Sequence, residues 1–227
     1  MLKKLKIGYP VNFKKAKLPT KQKLIGQYSI LEPINVKKHS KDLFKNFSLD
    51  KKGVNWAYMP TGPYKTEKSL KKYLKARNLM GNPFFYAVFS KRLQTYCGLA
   101  SYLRIKPMIG TIEVGWITFA PTLQKTVEGT EAMYLMMKNA FENLGYRRYE
   151  WKCDALNQQS NNTALRLGFK YEGKFRQATI YKKRNRDTNW YSIIDKEWKK
   201  YKKKYKKYLK RSNFNKKFFQ KRKIKLN

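Results

Sequence analysis

The groups best placed to do chemistry lie between Thr111 and Phe169. The run Gln124-Lys125-Thr126-Val127-Glu128-Gly129-Thr130 follows a β-rich stretch, TIEVGWITF (111–119), and precedes an amphipathic one, TEAMYLMMKNAFENLG (130–145). It therefore joins a strand to a helix N-terminus through a short basic loop. The first amides of a helix have no intrahelical acceptor and lie at the positive end of its dipole, so such a junction binds a phosphate-sized anion. Further on, YRRYEWKCDAL reads as a second strand, and NQQSNNTALRLGF closes the unit with a turn and a short capped helix, for which Ser160 is a natural N-cap. Three acids, Glu113, Glu150 and Asp154, stand in these strands. Alternation puts Glu150, Lys152 and Asp154 on one face and Trp151 and Cys153 on the other. As a single acid in a strand, Glu113 on its own fits an exposed salt-bridge partner.

Other chemistries are excluded. With one histidine, His39, there is no Ser/His/Asp or Cys/His set and no site needing a His pair. Cys97 and Cys153 sit inside predicted strands with neither metal-ligand spacing nor a disulfide framework, and read as two reduced, small hydrophobic residues. No metal is expected.

The elements that must position these groups can be read in order. Residues 1–25 are basic, with Pro10 and Pro19, and read as an arm or an added edge strand. YSILEPIN (28–35) is a first strand. Leu43, Phe44 and Phe47 recur at helical spacing from His39, with Ser40 as cap. LDKKGVNWAYMPTGPY (49–64) is a long loop with three aromatics, the kind of loop that often serves function. Thr66 opens a helix that Gly81 ends. FFYAVFS, TYCGLASYLRIKP with a bulge suggested at Gly98, and TIEVGWITF form a meander. Met133, Met136, Met137, Ala140, Phe141 and Leu144 make the core face of the 130–144 helix. Two strands around KKRNR finish the domain. The order β-α-α-β-β-β-α-β-α-β-β describes an α+β domain with a mixed sheet.

Three blocks within this order resemble one family. EVGWI followed by LQKTVEGTEA is similar to a strand E-x-G-(aromatic)-(aliphatic) and a loop (Q/R)-x-x-G-x-(G/A). Asn157-Gln158-Gln159-Ser160 followed by ALRLGF is similar to N-x-x-S…A-x-(K/R)-L-G-F. RNRDTNWYSIIDKEW resembles an R-D…Y-S…E-W ending. Together they resemble the GNAT superfamily of acetyl-CoA-dependent N-acetyltransferases, nearest the ribosomal-protein alanine and serine N-acetyltransferase subgroup, over about residues 28–198. The fold implied is a mixed, mostly antiparallel sheet flanked by helices.

The resemblance implies direct acetyl transfer from acetyl-CoA to a primary amine in a ternary complex, the amine being a protein N-terminus or a small molecule. A free lysine amine has a pKa of about 10.4 and an α-amine about 8, so a base is useful. Glu113 is the implied base and Ser160 the implied proton donor to the leaving thiolate. Gln124, Lys125, Thr126, Val127, Gly129 and Thr130 would cradle the pyrophosphate. Ile117, Thr118 and Phe119 would hold the pantetheine arm, and Asn157 would bind the cofactor from the second loop. Trp56, Tyr58 and Tyr64, with the turn at 176–190, would shape the acceptor site. One position departs from the pattern: Val127 stands where the family has glycine, so it should keep an ordinary backbone geometry while amides along 125–130 still meet the anion. Glu128 would repel phosphate and is expected to point outward.

The charge is extreme: 53 Lys and Arg against 14 Asp and Glu, a net +39. Such a chain is drawn to polyanions, although A+T-rich coding would also enrich lysine. From Trp198 onward there are 15 Lys and Arg and no acid, with Trp198, Tyr201, Tyr205 and Tyr208 at helical spacing. That stretch reads as a basic tail (199–227) for RNA or ribosome contact after an acetyltransferase domain (26–198) and an arm (1–25), or as a helix whose aromatic stripe packs on the domain. The rival overall reading is a polyanion-binding module on an inactive acetyltransferase fold. No apolar run is long enough to span a bilayer, and a cytoplasmic protein, monomer or homodimer, is expected.

Overall fold

The computed structural model describes residues 7–79, 81–216, 218–224 and 226. Its elements are β1 (Leu24–Ile25), β2 (Ser29–Pro33), α1 (Val36–Phe47), α2 (Glu67–Leu79), β3 (Phe84–Ser90), β4 (Thr95–Lys106), β5 (Thr111–Phe119), α3 (Val127–Lys138), β6 (Arg148–Asp154), α4 (Gln158–Arg166), β7 (Lys170–Tyr181), β8 (Arg184–Ile194) and α5 (Asp195–Tyr208). The strands form one sheet in the order β1-β2-β3-β4-β5-β6-β8-β7. Every neighbouring pair is antiparallel except β5 and β6. This is the α+β class read from the sequence, with β1 added at the edge and α5 at the end.

Helix ends follow capping chemistry more closely than apolar periodicity. α1 begins three residues before His39, because Asn35 accepts a bond from the Lys38 amide and is the true cap. Ser40, expected to cap, lies buried inside the helix and donates to Glu67 Oε1 at 3.1 Å. His39 is buried, its Nδ1 accepting from the Asn35 amide, and burial holds its pKa below the usual value. α4 likewise starts before Ser160: Asn157 is the cap, accepting from the Ser160 amide at 3.0 Å. α3 continues as a π-turn at Asn139–Asn143 and stops at Gly145, whose φ of +78° suits a residue without Cβ.

Two layers cover the sheet. On one face α1 packs on β4, with Asn46 Nδ2 donating to the Tyr96 carbonyl, and α2 packs beside α1. On the other face α3 supplies an almost wholly buried surface, and Tyr102 donates its hydroxyl to the Met136 carbonyl. α5 then lies against α3: Tyr134 stacks on Trp198 and Tyr205, and the Tyr205 hydroxyl reaches the Leu167 carbonyl. The boundary expected after Trp198 falls inside this helix. Trp198, Tyr201, Tyr205 and Tyr208 are all buried, and beyond the helix Phe214, Ile224 and Leu226 are buried too.

Glu131 ties the N-terminal edge to this core. Its buried carboxylate accepts from the amides of Gln27, Tyr28 and Ser29 and from the Ser29 hydroxyl. Charge-assisted bonds of this kind are about twice as strong as neutral ones.

Candidate active site

β5 and β6 pair only from Thr111–Val114 to Arg148–Trp151. Beyond that point the parallel strands part, because β5 is redirected by a bulge. Trp116 and Ile117 together face Ala100 of β4, and Trp116 takes a left-handed φ of +51°, a costly backbone for a bulky residue. A second register slip follows in β4 at Arg104, whose φ is +45°. Between the parted strands opens a cleft of about 410 Å³. Glu113, Ile117, Lys152, Cys153, Asn157 and Ser160 line it, together with the Tyr58 loop and Arg186 and Trp190 of β8.

At the cleft floor Glu113 and Glu150 are register partners, a like-charge pair that would be unfavourable alone. Lys152 resolves it, its Nζ lying 3.0 Å from Glu113 and 2.9 Å from Glu150, and 3.6 Å from the centre of the Trp190 ring. Arg104 Nη1 donates to both Glu113 oxygens, at 2.7 and 2.8 Å. Glu113 is only 3% exposed, so it is a buried, doubly paired carboxylate and not the exposed ion-pair partner its sequence position allowed. Burial raises its pKa, opposed by Arg104 and Lys152. For Glu150 the burial effect is outweighed by bonds from Arg148 and Lys152, which hold its pKa low. Asp154 is buried and accepts from the Tyr181 hydroxyl at 2.9 Å.

Ser160 sits on the first turn of α4 at the cleft wall. Trp151 Nε1 donates to its Oγ at 3.1 Å, which occupies one lone pair and leaves the hydroxyl proton free to be given away. Asn157 lines the same wall while capping α4. Cys153 is buried, and burial pushes its thiol pKa up; Cys97 is pushed up to about 12 for the same reason. Both are therefore poor nucleophiles.

The β5–α3 junction shows how the loop manages without a glycine at 127. The left-handed residue is Lys125, with φ +57°, whereas Val127 has ordinary helical geometry and is buried in the first turn of α3. Thr126 caps the helix by accepting from the Gly129 amide at 3.1 Å and donates its own hydroxyl to the Leu123 carbonyl. Among the described residues the amides of Lys125, Thr126, Val127 and Glu128 meet no acceptor. Gly129 is needed for close approach: a Cβ there would lie 2.8 Å from the Leu123 carbonyl oxygen. Gln124 turns back to donate to Asn55 Oδ1 and the Phe119 carbonyl, fixing the loop rather than facing solvent. Thr130 is buried and donates to the Thr126 carbonyl.

The expectation for Glu128 is corrected: it points into the protein, 1% exposed, with Arg92 Nε 2.6 Å from its Oε1. A cation 36 positions earlier in the chain neutralises it, which leaves the amides of that turn unopposed by a free carboxylate.

The acceptor loop divides. Tyr58 lines the cleft and donates to the Leu156 carbonyl at 3.0 Å. Trp56 is buried between Phe47 and Tyr64, and its carbonyl accepts from Lys182 Nζ at 2.7 Å. Tyr64 packs on Trp56 and Tyr73, outside the cleft lining, and burial pushes its pKa up to about 12. Asn55, Arg186 and Trp190 of the lining fall within the 49–64 loop and the 176–190 stretch expected to shape the acceptor site, whereas sequence reading missed Arg104, because nothing in its local pattern signals a site. It also missed Arg166, an exposed residue whose guanidinium comes within 3.4 Å of Thr130 in the first turn of α3.

A parted parallel pair, a β5 bulge and a capped helix with free amides recur together in a known family. Residues 30–170 match the model of the acetyltransferase (GNAT) domain. The chain belongs to the GNAT acetyltransferase family. A solved GCN5-related N-acetyltransferase from Brucella melitensis superposes on this GNAT chain with a TM-score of 0.91 at 35% identity, covering 94% of this chain and 96% of that one. The ribosomal-protein-serine acetyltransferase of Escherichia coli strain K12 is 27% identical over 165 residues, 70% of this chain and 89% of its own length. The solved RimL ribosomal L7/L12 alpha-N-protein acetyltransferase, in complex with coenzyme A, shares the fold at 20% identity, with a TM-score of 0.62 over 77% of this chain and 99% of that one. Ribosomal-protein acetyltransferases are thus among the proteins this GNAT chain is similar to. No described helix of this GNAT protein is long and apolar enough to cross a membrane.

Proposed function

We propose that this chain transfers the acetyl group of acetyl-CoA to a primary amine, in the first instance the N-terminal amine of a protein. The observation that carries this reading is the free amide run at 125–128 opening onto the parted β5 and β6 strands. The fit to a pyrophosphate-bearing thiol ester is good: four unpaired amides at a helix N-terminus, a neutralised Glu128, and Arg166 at the rim.

When bound, acetyl-CoA supplies the activated acetyl group. Lys125, Thr126, Val127 and Glu128 hold its phosphates through their amides, with Gly129 allowing the close turn and Gln124 and Thr130 bracing it. Ile117 of the bulge, with Thr118 and Phe119 after it, would hold its arm, and Asn157 would close the opposite wall. Glu113 takes a proton from the incoming ammonium, directly or through water. Its raised pKa makes it a better base than an ordinary surface carboxylate. Lys152 and Arg104 position that carboxylate. Ser160 gives its proton to the departing sulfur, and Trp151 orients its oxygen. Tyr58 contacts the acceptor; Trp56 and Tyr64 act by holding the Tyr58 loop. The ribosomal-protein relatives favour a protein N-terminus over a small amine.

Isothermal titration with acetyl-CoA tests the first half, and a thiol-release assay with short peptides beginning in alanine or serine tests the second. Saturable binding and peptide-dependent thiol release are expected. No heat at millimolar acetyl-CoA would sink the enzyme reading.

A further inference from the structure

α5 is a long helix whose two faces are made of different chemistry throughout. Its aromatic residues Trp198, Tyr201, Tyr205 and Tyr208 are buried against the domain. At about 100° per residue, Lys196, Lys199, Lys200, Lys203, Lys206 and Lys207 fall within about 60° of the opposite line. All six are exposed. Two further lysines sit at the flanks and are engaged: Lys202 with Glu142 at 2.7 Å and Lys204 with the Leu226 carbonyl. Among the described residues the ammonium groups of Lys199, Lys200, Lys203, Lys206 and Lys207 meet no carboxylate. No acid occurs after Glu197 in the whole sequence.

Acids elsewhere compensate part of the charge: on α2, Lys71 pairs with Glu67, and on β5 and β6, Glu113 and Glu150 are each matched by a cation. The α5 ridge is thus an uncompensated row of cations about 16 Å long on a rigid support. Holding like charges in one row costs energy in the free protein, and a polyanion recovers it by releasing its condensed counterions.

We propose that the α5 ridge is a binding surface for the phosphodiester backbone of a nucleic-acid duplex. Two features select this partner. The aromatic rings that would stack on unpaired bases are spent on the core, so the surface reads phosphate and not base. A membrane-surface helix turns its apolar face to lipid, whereas α5 turns that face to the protein and presents lysine alone. Recognition is therefore independent of base sequence and strongly salt-dependent. None of the ridge lysines lines the cleft, so this surface stands apart from the acetyl-transfer site.

The test uses the full chain and fluorescence anisotropy with a labelled short RNA duplex, a DNA duplex of the same length, and anionic lipid vesicles as competitor. The ridge variant carries Lys199→Gln, Lys203→Gln, Lys206→Gln and Lys207→Gln. A control variant removes the same charge from α2 and from a residue just before it through Lys65→Gln, Lys68→Gln, Lys72→Gln and Lys75→Gln. The ridge variant should lose at least about tenfold in affinity and about 2–4 from the slope of log affinity against log salt. The control should lose less than about threefold, and scrambled duplex sequences should bind alike. The two duplexes identify the source of the backbone. Equal losses in both variants, binding to neither duplex, or displacement of the duplex by vesicles would overturn the proposal. Unchanged thermal melts for both variants keep the comparison one of binding.

Discussion

Two stretches of this chain look alike as sequence, and both suggest anion binding: the β5–α3 junction and the lysine-rich helix α5 with the segment after it. In the fold they use opposite resources. The junction offers backbone. Its one acid is buried against Arg92, its side chains mostly brace the loop, and its amides at 125–128 are left free. α5 offers side chains. Its backbone is satisfied within the helix and its lysines face outward. A backbone site is rigid and narrow and suits one small, doubly charged group; a lysine row suits a long polymer whose position along the row matters little. Basic composition alone does not separate the two, because the difference lies in which groups remain unpaired after folding.

Glu113→Gln should have the largest effect on the enzyme side. It removes the base while keeping shape, and kcat/KM should fall by about 10²–10⁴-fold. In the wild type the rate should rise as pH climbs through a Glu113 pKa above the ordinary carboxylate range, and that limb should vanish in the variant. The sign for stability is opposite. Because the folded protein holds this proton more tightly than the unfolded chain, the contribution of Glu113 is greatest below the ordinary carboxylate pKa and is lost as pH rises through the raised value. Melting temperatures of wild type and variant across pH 4–8 check this.

Tyr205→Ala should be nearly as large on the other side of the comparison, as a loss of stability of about 3–5 kcal/mol. Tyr205 is fully buried and stacks on Tyr134. For the same reason truncation after residue 198 should give a poorly folded protein in a thermal melt, whereas a dispensable tail would leave the melt unchanged.

Gly129→Ala should come next, because its Cβ presses on the Leu123 carbonyl and distorts the amide run. A loss of about tenfold in acetyl-CoA affinity, with kcat little changed, is expected, and calorimetry with steady-state rates measures it. Val127→Gly should be the smallest for coenzyme binding. The position needs no left-handed geometry, so glycine there leaves coenzyme affinity within a few-fold, while losing the buried valine side chain costs about 2–4 kcal/mol of stability. A large gain in affinity would show that the valine, and not Lys125, limits the loop.

Legibility followed the range of the interactions. The strands at 84–90 and 111–119 match the β-rich runs FFYAVFS and TIEVGWITF almost to the residue. The bulge suggested at Gly98 appears as a register slip opposite Val88 and Phe89. Helix starts were less legible, since Asn35 and Asn157 outcompete Ser40 and Ser160 as caps through turns that periodicity does not record. The cleft was only half legible. Glu113, Asn157, Ser160 and Tyr58 line it, but Arg104, Lys152, Arg186 and Trp190 complete it from strands brought together by pairing alone.

By itself, the sequence determined the fold class, the strand–loop–helix junction and the two-faced character of α5, because each is written in local periodicity and residue type. Tertiary structure decided which charges survive as free ones. Whether Glu128 faces a phosphate or Arg92, whether Glu113 is exposed or held by Lys152, and whether the tyrosines of α5 stack on bases or on Tyr134 all depend on partners far away in the chain. Burial makes those pairings compulsory, since an unpaired charge or an exposed aromatic stripe costs more than the ordering needed to cover it.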